Sequence, residues 1–202
     1  DVNTITNSGA MTVDAMATGT NVVSGAHASA RGIMVGEEAA DLTITNNDLT
    51  VTAVATGNNV SSSYSSNGSS SSVSSNARGI EIGGGSENIT IANDSLEVSA
   101  TSTGTNTSSN VLSNVRAIKV GDDDYVTDNV TITNNTLIDA SASSTGSDAS
   151  SVKANVRGIS VGSDGNTDLD IYNYGEILVD AYVNSSSGST VESLATGIHT
   201  GS

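Results

Sequence analysis

The chain has 202 residues with no Cys, Pro, Phe or Trp, and its 22 acids against six Lys and Arg give a formal charge of −16. That composition excludes a disulfide-stapled domain, a cysteine-ligated zinc module and an enzyme pocket lined with aromatic rings. A pI near 4.1 repels phosphate backbones and anionic membrane surfaces, and there is no apolar run of about 18 residues to cross a bilayer, so neither nucleic acid nor membrane insertion is expected.

Leu, Ile and Val together make 43 of the 202 residues, which with this charge borders on the composition of disordered chains. Order must therefore come from pattern, and two markers supply it by recurring five times in step. The first repeat (1–40) carries Ile5–Asn7 and then Gly32-Ile33-Met34-Val35-Gly36. The second (41–87) carries Ile44–Asn46 and Gly79-Ile80-Glu81-Ile82-Gly83, and its extra length lies in a Ser-rich stretch from Val60 to Asn76 that reads as loop. The third (88–128) has Ile91–Asn93 and Ala117-Ile118-Lys119-Val120-Gly121. The fourth (129–167) has Ile132–Asn134 and Gly158-Ile159-Ser160-Val161-Gly162, and the fifth (168–202) has Ile171–Asn173 and Gly197-Ile198-His199-Thr200-Gly201. A Ser/Thr/Asn-rich chain could match one marker by chance, but not keep two in phase through five copies.

Inside a repeat the hydrophobic period is two. Leu42-Thr-Ile44-Thr, Leu49-Thr-Val51-Thr-Ala53 and Ile80-Glu-Ile82 alternate apolar and polar residues in β-branched runs, separated by Asn-Asn or Gly-Gly-Gly breakers. Without helical spacing the unit cannot be a helix pair, and with five Tyr as the only aromatics it makes a poor propeller blade. The pattern predicts one all-β domain over 1–202, a single-stranded, right-handed parallel β-solenoid (β-helix) of about five coils, each with three short strands. Asn7, Asn46, Asn93, Asn134 and Asn173 are expected to stack as a ladder at one corner in left-handed conformations, with Ile33, Ile80, Ile118, Ile159 and Ile198 stacking inside.

The strings ITNSGAMTVDAMATG (Ile5 to Gly19) and SARGIMVG (Ser29 to Gly36) resemble repeats in the β-helical passenger regions of bacterial autotransporters and related surface adhesins, once per repeat along the whole chain. The resemblance implies a stalk at the cell surface or outside the cell. It is specific to architecture, and no outer-membrane barrel, cap or signal segment accompanies it.

Several residue groups invite a functional reading. Acids crowd the loop after the third strand, and Asp122, Asp123, Asp124 and Asp128, with Asp164, Asn166, Asp168 and Asp170, set oxygen ligands close together in a way that suits Ca²⁺, though neither an EF-hand nor an RTX pattern is met. The alternative is a solvated loop whose charge confers solubility. Arg31, Arg78, Arg116 and Arg157 share one repeat position, with Thr196 in the fifth copy. Four buried guanidinium groups would be prohibitive, so a bend at the next Gly is expected to turn them outward, pairing with carboxylates such as Asp14 or Asp139, or forming a basic strip for an anionic glycan. The Thr-x-Thr runs at Thr4–Thr6, Thr43–Thr45 and Thr131–Thr133 echo ice-binding arrays but are broken by Ala92 and Tyr172. His27 and His199 occupy unrelated repeat positions, and no catalytic motif is present. The expectation is a non-enzymatic, extracellular structural segment of a fibre or surface adhesin, stacking head to tail or continued by flanking repeats, because the chain starts and stops at repeat edges. The competing class is a carbohydrate-binding or depolymerising β-helix.

Overall fold

The computed structural model describes residues 2–21, 25–60, 72–107, 110–121, 127–162, 168–187 and 190–200. Among them there are eleven β-strands and no helix: β1 (Asn3–Thr20), β2 (Gly25–Val35), β3 (Ala40–Asn58), β4 (Ser72–Ile82), β5 (Glu87–Thr105), β6 (Asn110–Val120), β7 (Asp128–Gly146), β8 (Ser151–Val161), β9 (Leu169–Asn173), β10 (Glu176–Ser185) and β11 (Thr190–Thr200). Two sheets result. One runs β1-β3-β5-β7-β10, with β9 also on β7, and the other runs β11-β8-β6-β4-β2. Every pairing is parallel, and the chain crosses from the first sheet to the second and back once per repeat.

The first four repeats hold two long strands where three short ones were expected. The reason is visible around Asn46: Leu42, Ile44 and Asn46 are buried, and then Leu49, Val51, Ala53 and Ala55. The inward set changes phase across two residues, which bends the strand. Pairing nevertheless continues on both sides of the bend, with a register irregularity at Asn7/Ala10 and again at Asn93/Ser95. Only in the last repeat do β9 and β10 separate there.

The asparagines stack as expected. Asn7 donates through Nδ2 to Asn46 Oδ1 at 2.9 Å, Asn46 to Asn93 at 2.8 Å, Asn93 to Asn134 at 2.9 Å and Asn134 to Asn173 at 2.8 Å. Each also donates to a main-chain carbonyl one repeat on, that of Asp48, Ser95, Leu137 or Glu176. A buried amide costs free energy unless its donors and acceptor are matched, and this arrangement matches them between repeats. The expected left-handed conformation falls elsewhere: positive φ occurs at Asn21, Asn59 and Asn106, just after β1, β3 and β5, and at Asp41, Asn88 and Asn129, the second residues of β3, β5 and β7. These too are linked by side chains, Asn59 to Asn21, Asn106 to Asn59 and Asn129 to Asn88.

The core is a set of columns. Ile33, Ile80, Ile118, Ile159 and Ile198 are successive partners in the second sheet, and the three central ones are fully buried. Each such side chain contributes about 1.5–3 kcal/mol by leaving water. Away from this end the inward residues shrink: Ala15, Ala53, Ala100, Ala142 and Ala181 form one column, and Gly19, Gly57, Gly104 and Gly146 another that ends in Ser185. A Cβ on Gly57 would come within 2.4 Å of Val73 Cγ2, so the sheets converge here. Buried serines cross the narrow end of the core. Ser102 donates to the carbonyl of Leu112 at 2.6 Å, Ser113 to that of Ser143 at 2.7 Å and Ser144 to that of Lys153 at 2.6 Å.

Candidate functional site

Strand alternation turns Ala77 inward and Arg78 outward. Gly79 is inward again, and there the pattern changes phase: Gly79, Ile80 and Ile82 are all buried. The glycine fits because its Cβ would otherwise lie 2.5 Å from the Ala117 carbonyl and 2.8 Å from Leu96 Cδ1. The bend leaves Arg78 and Glu81, three residues apart, on the same outer face. Arg78 Nη1 reaches both carboxylate oxygens at 2.7 and 2.8 Å, and Lys119 Nζ lies 3.7 Å from Glu81. The outward turn of the arginine was legible in the sequence, but the carboxylate on Arg78 is Glu81 and not Asp14 or Asp139.

Arg31, Arg78, Arg116, Arg157 and Thr196 are register partners across β2, β4, β6, β8 and β11. The strands of this sheet carry all six Lys and Arg of the chain and both His, against only two acids, Glu81 and Glu192. Six cations less two carboxylates give this sheet +4, and the rest of the chain therefore carries −20. Adjacent strands lie about 4.8 Å apart, so like charges in one column repel by just under about 1 kcal/mol per neighbouring pair even at the dielectric of water. Lys153 has an acid of its own, Glu192, at 2.7 Å.

Two residues before each central arginine stands an asparagine. Asn155 donates to Asn114 Oδ1 at 3.0 Å and Asn114 to Asn76 Oδ1 at 3.1 Å. Between the asparagine and arginine columns runs a groove of about 420 Å³, crossing β4, β6 and β8 and reaching Leu194 in β11. A second, smaller cavity of about 60 Å³ adjoins it, lined by Arg116 and Arg157 again with Lys119, Ser160 and His199. His199 Nδ1 is buried there and has no hydrogen-bond partner among the described residues. This geometry offers planar guanidinium forks, amides and an ammonium to an anion. Lys119, His199 and the outer asparagines escape a linear reading because they lie in different repeats; aligning the repeats in columns would have brought them together.

The acidic corner is only partly visible. Asp122, Asp123, Asp124, Asp164 and Asn166 lie outside the described residues. Asp128 opens β7, its Oδ1 accepting from the Asn129 amide at 2.9 Å. The carbonyl of Asp168 accepts from the Val130 amide at 2.8 Å, and Asp170 pairs in register with Thr131. The side chains of all three are exposed, and among the described residues no group of three or more His, Cys, Asp or Glu is placed to hold a metal. Chelation tests Ca²⁺ at this corner: an ion held only by the folded chain raises its melting temperature, so EDTA should lower it, and an unchanged value leaves the carboxylates solvated.

The Thr column Thr4, Thr43, Thr90 and Thr131 is continuous on the opposite sheet, but its neighbour reads Thr6, Thr45, Ala92, Thr133 and Tyr172. Compared with known proteins, the chain matches no family model, no curated sequence and no solved structure.

Proposed function

We propose that the chain is a right-handed, single-stranded parallel β-solenoid of five coils, and that it serves as a non-enzymatic structural segment of an extracellular fibre or cell-surface adhesin. The observation that carries this reading is the uninterrupted stacking. The column from Asn7 to Asn173 and the column from Ile33 to Ile198 each pass through all five repeats with no change of residue type. Ladder hydrogen bonds join each repeat to the next along the stacking direction, as a rod under tension requires.

The two end faces support growth of the stack. Ile118 is fully buried, whereas its last partner Ile198 is 46% exposed, and β1 and β2 each have a ladder neighbour on one side only. A further coil, from flanking chain or from another copy, would give those strands the pairing that inner strands have and cover the column. The two end faces differ, so contact between copies is heterologous and propagates. Sedimentation of the 202-residue chain is expected to show concentration-dependent, end-to-end oligomers that Ile198→Asp abolishes. A monomer at every concentration and salt would eliminate head-to-tail copies. Negative-stain images of the native material then test the structural reading itself, which predicts a fibre or a cell-bound stalk; compact free particles would overturn it.

A further inference from the structure

We propose that the outer face of the β11-β8-β6-β4-β2 sheet binds a linear acidic polysaccharide, its chain lying in the groove between the Asn76–Asn114–Asn155 and Arg78–Arg116–Arg157 columns and one of its carboxylates or sulfates seated in the small cavity beside Lys119 and His199. The argument does not depend on whether the stack grows end to end.

Four observations point to this ligand class. The walls of the groove present guanidinium forks on one side and carboxamides on the other, the pair of groups that grips an anionic substituent and a neighbouring hydroxyl together. The groove runs across strands, so its donors repeat at the strand spacing, about 4.8 Å, which is close to the advance of one sugar ring in an extended chain. The small cavity shares Arg116 and Arg157 with the groove and is sized for a single anionic group. Finally, a buried imidazole nitrogen with no hydrogen-bond partner among the described residues lines that cavity, on His199.

A second copy of this chain is the other polyanion at hand, since the strands of its β1-β3-β5-β7-β10 sheet carry acids and no Lys or Arg. Its acids do not match the arginine column. They occur at most two in succession, as Glu97 and Asp139 or Glu87 and Asp128, and Asp14 and Asp180 stand at opposite ends of a column otherwise filled by Thr52, Ser99 and Ser141. The four arginines follow one another without a gap, and a polyuronate or a sulfated glycan is the ligand that presents a charge at every step.

The test is titration calorimetry of the whole chain with heparin oligosaccharides, with polygalacturonate and with a single-stranded oligonucleotide of equal charge, at low and at physiological salt. Binding to at least one of the two glycans is expected, weakening steadily as salt rises. Arg116→Ser combined with Arg157→Ser should weaken it at least tenfold while circular dichroism shows the chain still folded, and Arg31→Ser, outside both cavities, should have a smaller effect. Glu81→Gln should tighten binding by freeing Arg78 from its carboxylate. Absence of glycan binding, equal affinity for the oligonucleotide, or insensitivity to the Arg116/Arg157 pair would overturn the proposal. So would low-salt self-association that the same pair abolishes, since that would identify a second copy as the occupant.

Discussion

Asn93→Ala is expected to lower the unfolding free energy by about 4 kcal/mol, because two buried hydrogen bonds and a third that is partly buried lose a partner at once and each orphaned group costs about 1–3 kcal/mol. Asn93 accepts from Asn46 and donates both to Asn134 and to the Leu137 carbonyl, and it is fully buried. A smaller alanine can neither supply these groups nor admit enough water to replace them. Asn7→Ala, at the half-buried end of the same ladder, removes the bonds to Asn46 and to the Asp48 carbonyl and should cost about 2 kcal/mol, the net worth of two ordinary hydrogen bonds. Urea unfolding followed by circular dichroism measures both. Equal midpoints for the two variants would show that the ladder contributes no more in the middle of the stack than at its end. Stability in a repeat array is a sum of unit and nearest-neighbour terms, so loss at Asn93 should also broaden the transition by uncoupling the repeats on either side.

Gly104→Val should be nearly as damaging, by about 3 kcal/mol, through crowding. A Cβ there would fall 2.6 Å from Val111 Cγ2 and 2.9 Å from Thr107 Oγ1, contacts that force the two sheets apart where the core is narrowest. The last repeat already carries Ser185 in this column, and Ser185 is only partly buried. Ser185→Val should therefore be tolerated to within about 1 kcal/mol. Thermal melts of the two variants separate crowding from a backbone effect, since a backbone effect would penalise β-branching at both positions alike.

What could be read without coordinates was whatever recurs at a fixed place in every repeat. The asparagine ladder, the isoleucine column and the outward arginines all belong to that class, because stacking in register converts a repeated residue into a neighbour of itself. The strand count was harder. Asn46-Asn47 looks like a turn signal, yet the backbone needs only a change of inward phase there and keeps its ladder pairing. The left-handed residues Asn21, Asn59 and Asn106 escape a linear reading because each lies two residues past a glycine of the inward column, outside the repeated Ile-x-Asn marker. The clustering of basic groups was half seen. Arg116 is one of a repeated series, but Lys119, Lys153 and the histidines differ from their column partners and become a common surface only when the repeats lie on top of one another.

The shared columns also bear on how such a chain changes over generations. Removing residues 88–128 would bring Asn46 against Asn134, Ile44 against Ile132, Gly57 against Gly146 and Arg78 against Arg157, the same pairs of residue types that adjoin now. Inserting a second copy of those residues would do the same. Length can therefore vary by whole repeats through slippage or unequal recombination in the coding DNA with these columns still matched. A deletion of half a repeat would instead juxtapose columns of different size and join strands that face opposite sheets. Heritable variation in reach, in quanta of one repeat, is the kind of change this architecture tolerates best.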